Sequence, residues 1–542
     1  MSNFFVFLGI VWFLAEIKSI FFWLFLWQLK DYHIGRFVDH FRTQKGKTAI
    51  INASVLVKVF FFLLFLGVPQ QFQFLVLILI FVYIIQDLLF LRTFITRSVK
   101  APKITLKAFL LFLISGGLAM FFGSFVFYVK ELSLQPLLFL GFDILTPLIV
   151  SAIVLLVQPF FVLARNFVLF KAKLKIKKMK TVSGVKVVAI TGSYGKTTTK
   201  EFLSTILSEK FKVLSTKEHQ NSEIGVAKCI LNDLKPSHQI FIAEVGAYNK
   251  GKVKQVCSMI KPQIGVVTGV NEQHLALFGS LKNLLSAEGG IELANSLPEN
   301  GLLVVNGDNK HCLNLLKKDF FQKLNKKAYS LSNKVIDADI WADAVEVHKD
   351  RVIFIAMDKT KEIMHFEANI LGKQSVQNLL GAILVAKHLG MNFGEISEAC
   401  KKILQKQSGM VLTKEGHGIN VVDSSYSSNP DGVFADLEYL SIFSGKKAIV
   451  MPCLIELGKS SSEIHEKIGK KIAEICDLCI ITSKDNFADI KKGFEQINAN
   501  VEQCLLCENP QDIYAMLTLF CKAGDTVLLE GRVPAKLIDL LK

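Results

Sequence analysis

The chain has 542 residues, 63 Lys+Arg against 47 Asp+Glu, a formal net charge of +16, 51% hydrophobic residues and 44 Phe. Excess positive charge points to a polyanion partner, whereas a mean hydropathy of +0.39 points to lipid. Residues 1–180 carry 20 Lys+Arg and 6 Asp+Glu, leaving 43 and 41 for 181–542. The excess therefore lies among apolar runs, which argues against a basic nucleic-acid-binding globule and against a wholly soluble enzyme.

Apolar runs at 3–28, 52–69, 71–92, 107–129 and 136–163 are near the length a helix needs to cross hydrocarbon, so residues 1–170 read as a five-helix transmembrane domain. The first run is not a cleavable signal: no basic segment precedes it, no small-residue cleavage site follows, and Glu16 and Lys18 interrupt it. An interfacial placement of that run stays open. Lys30, Arg36, Arg42, Lys45 and Lys47 fill one connection and Arg92, Arg97, Lys100, Lys103 and Lys107 another, while the connections at 69–71 and 130–136 hold one basic residue between them. Basic connections stay cytoplasmic. Five spans satisfy that alternation with the N-terminus outside and residue 171 onward in the cytoplasm.

Within the spans, Lys58, Asp87 and Asp143 are interhelical partners, side chains snorkelling toward an interface, or contacts for a polar headgroup, and Asp143 is followed by Pro147, where the segment is open to a break. Residues 171–180 hold six lysines and read as a basic juxtamembrane linker, a stop-transfer flank that also suits anionic lipid.

From Gly184 the texture changes to short β-branched runs alternating with helical patterns, the mark of parallel-sheet βαβ units. Two domains are expected, a central one at 181–405 and a C-terminal one at 406–542. The central motif, Thr191-Gly192-Ser193-Tyr194-Gly195-Lys196-Thr197-Thr198-Thr199, follows a strand and opens a helix. That is the context of a phosphate loop: glycines admit backbone N–H groups to the phosphates, Lys196 reaches the terminal oxygens and Thr197 ligates Mg²⁺. Ile190 stands where the commonest loop pattern begins with Gly. A plain helix-capping turn is the competing reading.

These residues resemble the Mur ligase family, whose loop reads G-x-x-G-K-T-[TS]. Asn221–Val226, Ala243–Gly246, Thr268–His274 with Phe278–Ser280, Val304–Asp308, Gly372–Asn378 and Asp423–Pro430 follow in the family's order. Ile455–Gly458 followed by His465 is most similar to the dipeptide-adding branch. The resemblance covers about 180–542. It implies a Mur-ligase-like α/β central domain that binds ATP, and an α/β Rossmann-like C-terminal domain. It also implies an ATP- and Mg²⁺-dependent reaction in which a carboxylate becomes an acyl phosphate and an amine attacks it. Glu244 and His274 match the family's metal ligands, Asn378 a nucleotide contact and Asp423 a position near the ribose; the last two residue types also serve as caps and turn formers.

Three departures stand out. Glu288 falls where many members carry a carbamylated lysine, and we expect its carboxylate to replace the carbamate as a metal-side group. The family's Gly-Arg before the C-terminal domain reads Gly409-Met410, and its K-G-S-R reads Glu530-Gly-Arg532, on the acceptor side. Cys476-x-x-Cys479 and Cys504-x-x-Cys507 have zinc-ribbon spacing, but the first pair runs from a helix end into a buried strand, where Cys acts as a small hydrophobe.

The site expected from these readings is Lys196, Glu244, His274 and Glu288 as catalytic groups. Gly192, Ser193, Tyr194, Gly195, Lys196, Thr197, Thr198, Asn378 and Asp423 surround ATP, and Thr197, Glu244, His274 and Glu288 surround Mg²⁺. The expected partners are an amino-acid or short-peptide amine, a lipid-linked or otherwise membrane-associated carboxylate envelope precursor, and membrane lipids, with no nucleic acid. The alternatives are an ATP-gated transporter or sensor, and an inactive membrane scaffold.

Overall fold

Five helices of the computed structural model are long and apolar enough to cross a membrane: Phe4–Leu29, Gly46–Gly67, Gln73–Ile95, Leu106–Val126 and Leu134–Ser183. The structure describes residues 2–41, 44–67, 72–95, 99–217, 220–247, 249–271, 275–317, 322–332, 337–414, 418–425 and 429–541. The chain divides into two compact units, Met1–Asn166 and Phe167–Lys542.

In the first unit, aromatic side chains interlock where helices meet. Trp27 stacks on Phe37 with ring centroids 3.9 Å apart, and Trp12 packs against Phe139 while its indole N–H donates to the Phe139 carbonyl at 3.0 Å. Apolar side chains cover the outside, Phe60, Phe121, Leu156 and Phe160 among them. These helices are therefore apolar on their buried and exposed sides alike.

Of the three charged residues singled out in these helices, Lys58 and Asp143 pair with each other, whereas the buried oxygens of Asp87 take no hydrogen bond. Lys58 Nζ donates to Asp143 Oδ1 at 2.7 Å, Tyr83 Oη donates to Asp143 Oδ2 at 3.0 Å, and Thr146 Oγ1 donates to Glu16 Oε2 at 2.7 Å. The interhelical-partner reading of Lys58 and Asp143 therefore describes this unit. The break expected near Pro147 is absent: Leu134–Ser183 is one helix of 50 residues with Pro147 and Pro159 inside it. Each proline deletes a single ladder hydrogen bond, a loss that the remaining bonds of a 50-residue helix outweigh.

Residues 171–180, expected as a linker, are the closing turns of the same helix. Ala172, Ile176 and Met179 recur at helical spacing and bury against the second unit's core beside Val226, Ile230 and Met259. Two lysines of the run serve that packing. Lys175 Nζ donates to the Leu231 carbonyl at 2.8 Å, in the last turn of the helix Glu223–Asp233, and Lys180 Nζ donates to the Lys261 carbonyl that ends the helix Lys252–Ile260. Cations at helix C-termini satisfy orphan carbonyls and the negative end of the dipole.

The second unit holds two sheets. The first comprises β1 (Lys186–Thr191), β2 (Val213–Ser215), β3 (Ile240–Glu244), β4 (Ile264–Val267), β5 (Leu302–Asn306), β6 (Asn325–Ser330), β7 (Ile340–Val347), β8 (Val352–Asp358) and β9 (Ile363–Ala368). Their order is β2-β3-β1-β4-β5-β6-β7-β8-β9, parallel through β7 and antiparallel after it. The parallel core strands are buried along their length, as helices on both faces require. The second sheet comprises β10 (Val411–Lys414), β11 (Asn420–Ser424), β12 (Lys447–Met451), β13 (Leu478–Ile481), β14 (Cys504–Leu506) and β15 (Thr526–Glu530) in the order β10-β11-β15-β12-β13-β14, with only β10 antiparallel. Cys479 and Cys504 are register partners on β13 and β14 and lie in the apolar core.

Candidate functional site

Ligands of parallel α/β sheets bind beyond the carboxyl ends of the strands, and the phosphate loop lies there, between β1 and the helix Lys196–Ser208. That helix forms because Thr199, Phe202, Leu203 and Ile206 give it a buried stripe at i, i+3, i+4 and i+7. Gly192 and Gly195 have φ of 144° and 73°. A Cβ on Gly192 would strike Thr268 Oγ1 and one on Gly195 would strike Asn378 Oδ1, so only glycine lets the backbone close this way. Gly195 caps the helix without a side chain, which leaves the first-turn N–H groups for an anion.

Lys196 Nζ curls over its own loop and donates to the Gly192 and Ser193 carbonyls at 2.6 and 3.1 Å. Thr197 Oγ1 donates to Glu244 Oε2 at 3.0 Å, and Asn221 Nδ2 donates to Glu244 Oε1 at 3.0 Å. Glu244 ends β3 beside the loop and is buried, with Lys200 Nζ 3.6 Å from its Oε2. Ser193 Oγ donates to Glu288 Oε2 at 2.8 Å, and Glu288 is only 1% exposed. Glu288 is thereby tied to the phosphate loop, 95 residues away in sequence.

These groups line one side of a cavity of about 540 Å³. Ser193, Thr197, Glu244 and Glu288 bring hydroxyl and carboxylate oxygens to it, a hard donor set that fits Mg²⁺. Among the described residues no three His, Cys, Asp or Glu side chains form a ready-made metal cage. That accords with Mg²⁺, which is held through one or two carboxylates together with phosphate oxygens. His274 lies outside the described residues.

Asn378, on the helix Lys373–His388, reaches the site: it meets Gly195, and its Oδ1 accepts from Thr199 Oγ1 at 3.4 Å. Thr198 lines the cavity as well. Tyr194 turns its ring toward Gly269, where its Oη accepts from Asn309 Nδ2 at 3.2 Å, and burial together with the charge of Asp431 pushes the phenol above its ordinary range. Its carbonyl accepts from Thr268 Oγ1. Tyr194 thus fixes the loop's shape through side chain and backbone alike. Asp423 behaves as a turn former: its Oδ1 accepts from the Ser425 amide at 3.1 Å and from the Ser425 hydroxyl, while the neighbouring Ser424 lines the cavity.

The lining continues onto the C-terminal domain. Arg532 lines the cavity, as do Gly409 and Met410. Arg532 thus borders the same cavity as Met410, where the family's arginine is missing. Asp436 lies there too, accepting from Ser424 Oγ, and the buried Glu530 acts on it electrostatically. Burial holds Asp436 above the ordinary carboxylate range against the lowering effect of Glu530 and Ser424. His465 is fully buried behind this part of the lining: Nε2 accepts from the Leu454 amide at 2.9 Å and Nδ1 donates to the Ser461 carbonyl at 2.6 Å. Burial lowers its pKa, so the ring stays neutral and braces the segment Cys453–Glu456 that borders the cavity.

Sequence reasoning missed Lys200, Asn221 and the Asp436–Glu530 pair. Lys200 was open to detection, because it lies one helical turn beyond Lys196. The carboxyl pair is joined only by the fold.

Residues 190–386 match the Mur ligase middle domain, and residues 410–533 match the Mur ligase glutamate ligase domain. The UDP-N-acetylmuramoyl-tripeptide–D-alanyl-D-alanine ligase of Escherichia coli is 27% identical over 287 residues, 53% of this chain and 61% of that protein. The ligase of the same name from Synechocystis is 27% identical over 350 residues, 64% and 72% of the two chains. This chain thus spans about six-tenths of the E. coli relative's length. Among solved structures, MurF from Acinetobacter baumannii superposes with a TM-score of 0.60 at 21% identity, covering 68% of this chain and 80% of that one. The MurF ligase from Thermotoga maritima in complex with ADP gives 0.60 at 23% identity, covering 70% and 83%. Both superpositions establish the fold of the second unit.

Proposed function

Since this chain belongs to the Mur ligase family through its middle and C-terminal domains, we propose that it is an ATP- and Mg²⁺-dependent ligase. It joins the amine of a short peptide to a carboxylate precursor of the cell envelope. The observation that carries this reading is one cavity lined by the Lys196 loop, the Glu244 and Glu288 carboxylates and Arg532.

ATP with Mg²⁺ supplies the phosphoryl group that activates the carboxylate. The chain's own groups position and neutralise. Loop amides freed by Gly192 and Gly195, together with Lys196, receive the phosphates. Thr197 and Glu244 are the metal-side oxygens, and Asn221 and Lys200 hold Glu244 in place. Glu288, oriented by Ser193, supplies the fixed carboxylate for which other members use a carbamylated lysine. Asn378 sets the nucleotide against Gly195. Arg532 adds positive charge to the same cavity.

The five helices support placing this ligase in the cytoplasmic membrane, with the N-terminus outside and the catalytic domains in the cytoplasm, because basic connections alternate with neutral ones. An anchor needs one span, so five favour a carboxylate substrate that is itself membrane-associated, lipid-linked included. The names of the relatives make UDP-muramoyl tripeptide and D-alanyl-D-alanine the first pair to test. Membranes containing the chain are incubated with ATP, D-alanyl-D-alanine and either the UDP-linked or the lipid-linked tripeptide, and the amide product is followed by mass spectrometry. Faster conversion of the lipid-linked form supports the full reading, conversion of the UDP-linked form alone keeps the ligase and removes the lipid-linked substrate, and no conversion of either removes both.

A further inference from the structure

Phe170, Lys173, Leu174, Lys177 and Lys180 recur at i, i+3, i+4, i+7 and i+10 on the helix that ends at Ser183, and so share one face. It is not the face that carries Ala172, Ile176 and Met179 into the core. Phe170 is 56% exposed and Leu174 52%, and Lys173 and Lys177 are exposed beyond them. The face therefore passes from apolar to basic along its length.

It runs into a second cavity. Lys180, Lys254 and Lys261 line it with Ser258, Asn295 and Ser296, and no Asp or Glu is among its lining residues. Among the described residues, none of Lys173, Lys177, Lys180, Lys254 and Lys261 forms an ion pair with a carboxylate. Lys180 and Lys261 crowd two like charges together, and burial followed by that charge pushes Lys180 down to about 8. Uncompensated cations in a hydroxyl- and amide-lined pocket are complementary to a phosphate group.

The position of the pocket excludes the nucleotide. Gln263, which lines it, immediately precedes β4, and its side chain accepts from the Val187 amide near the start of β1 at 2.9 Å. The phosphate loop follows the other end of β1. The pocket is thus at the amino edge of the sheet and the ATP site at the carboxyl edge.

We infer that the Lys173–Lys177 stripe and the Lys180–Lys254–Lys261 pocket form a docking site for the phosphate headgroup of an anionic membrane lipid. Phe170 and Leu174 lie on the same face, toward the span. Four to eight basic residues just beyond a membrane span are the usual signature of such contact. The inference rests on the membrane reading above, and the two fail separately: chain released by alkaline carbonate washing contradicts the spans, whereas lipid selectivity is measured on chain that remains integral.

The test uses the full-length chain in phosphatidylcholine nanodiscs with and without phosphatidylglycerol, in detergent with inorganic phosphate alone, and as the variant Lys173→Gln/Lys177→Gln/Lys254→Gln/Lys261→Gln. Lys180 is kept because it caps a helix. Native mass spectrometry should find phosphatidylglycerol retained over phosphatidylcholine by wild type. The quadruple Gln variant should lose that preference by up to about a thousandfold, the matching quadruple Arg variant should keep it, and both should turn over ATP with the ligase substrates as wild type does. Equal retention of the two lipids, or undiminished phosphatidylglycerol retention by the Gln variant, overturns the proposal. Inorganic phosphate that raises the melting temperature as much as phosphatidylglycerol does would reassign the pocket to a free anion, and so overturns it too.

Discussion

Both units bury charged groups, and they do so to opposite effect. In the helical unit Lys58 and Asp143 close on each other at 2.7 Å with Tyr83 completing the contact. In the second unit Glu244 and Glu288 are just as deeply buried, yet both border an open cavity of about 540 Å³ and take bonds from hydroxyl and amide donors, Thr197 and Asn221 on Glu244 and Ser193 on Glu288, with the Lys200 ammonium no nearer to Glu244 than 3.6 Å. A buried ion pair consumes its own charge and holds helices together. A buried carboxylate oriented by hydroxyl and amide donors keeps its charge available to a metal or a phosphate-bearing ligand.

That contrast can be broken at several points. The largest effect is expected at Lys196→Ala, which removes the one cation of the phosphate loop: ATP-dependent turnover should fall about a thousandfold with the melting temperature unchanged. Asp143→Asn leaves Lys58 buried without its countercharge and should cost about 3–5 kcal/mol, read as loss of detergent-stable protein. The double change Lys58→Met/Asp143→Leu should recover most of it, which would mark the pair as structural. Glu288→Gln keeps the shape and the bond to Ser193 but removes the charge, so turnover should drop about a hundredfold and the Mg²⁺ requirement should rise. If neither moves, Glu288 is not the carbamate's replacement.

Smaller effects sharpen the same comparison. Lys175→Met strips the cap from the Leu231 carbonyl and should cost about 1 kcal/mol in chemical denaturation of the second unit. Asp436 has a raised carboxyl pKa in the folded state. Its contribution to stability is full below the ordinary carboxylate range and is lost as pH rises through the raised value. Asp436→Asn removes that loss, so its melting temperature should exceed wild type's in mildly alkaline buffer and converge with it in acid. A constant difference across pH would show that the carboxyl is not the titrating group.

How far these features were legible in the sequence follows from the range of the interactions behind them. The phosphate loop could be read because its geometry is local: two glycines, a lysine and a threonine within six positions, after a buried strand. The apolar runs were readable for the same reason, since a span is a contiguous property. Helix ends differed by a few residues where capping and fraying decide, and the fifth ran on through Pro147 because losing one ladder bond does not outweigh fifty residues of helix. The role of Lys175 and Lys180 was hidden, because a run of lysines reads as solvated charge until the fold supplies helix ends for it to cap. The Asp436–Glu530 contact and the Ser193–Glu288 bond each join residues some 95 positions apart, and no local periodicity encodes them.

The central claim is that the cavity couples ATP to amide formation. It is tested most directly by measuring phosphate released by the full-length membrane protein supplied with ATP, Mg²⁺, the muramoyl-tripeptide carboxylate and D-alanyl-D-alanine, against amide formed in the same sample. The account predicts one phosphate per amide, and neither when the carboxylate, the dipeptide or the Lys196 side chain is withheld. Phosphate release that ignores the dipeptide, or an active Lys196→Ala protein, would contradict it.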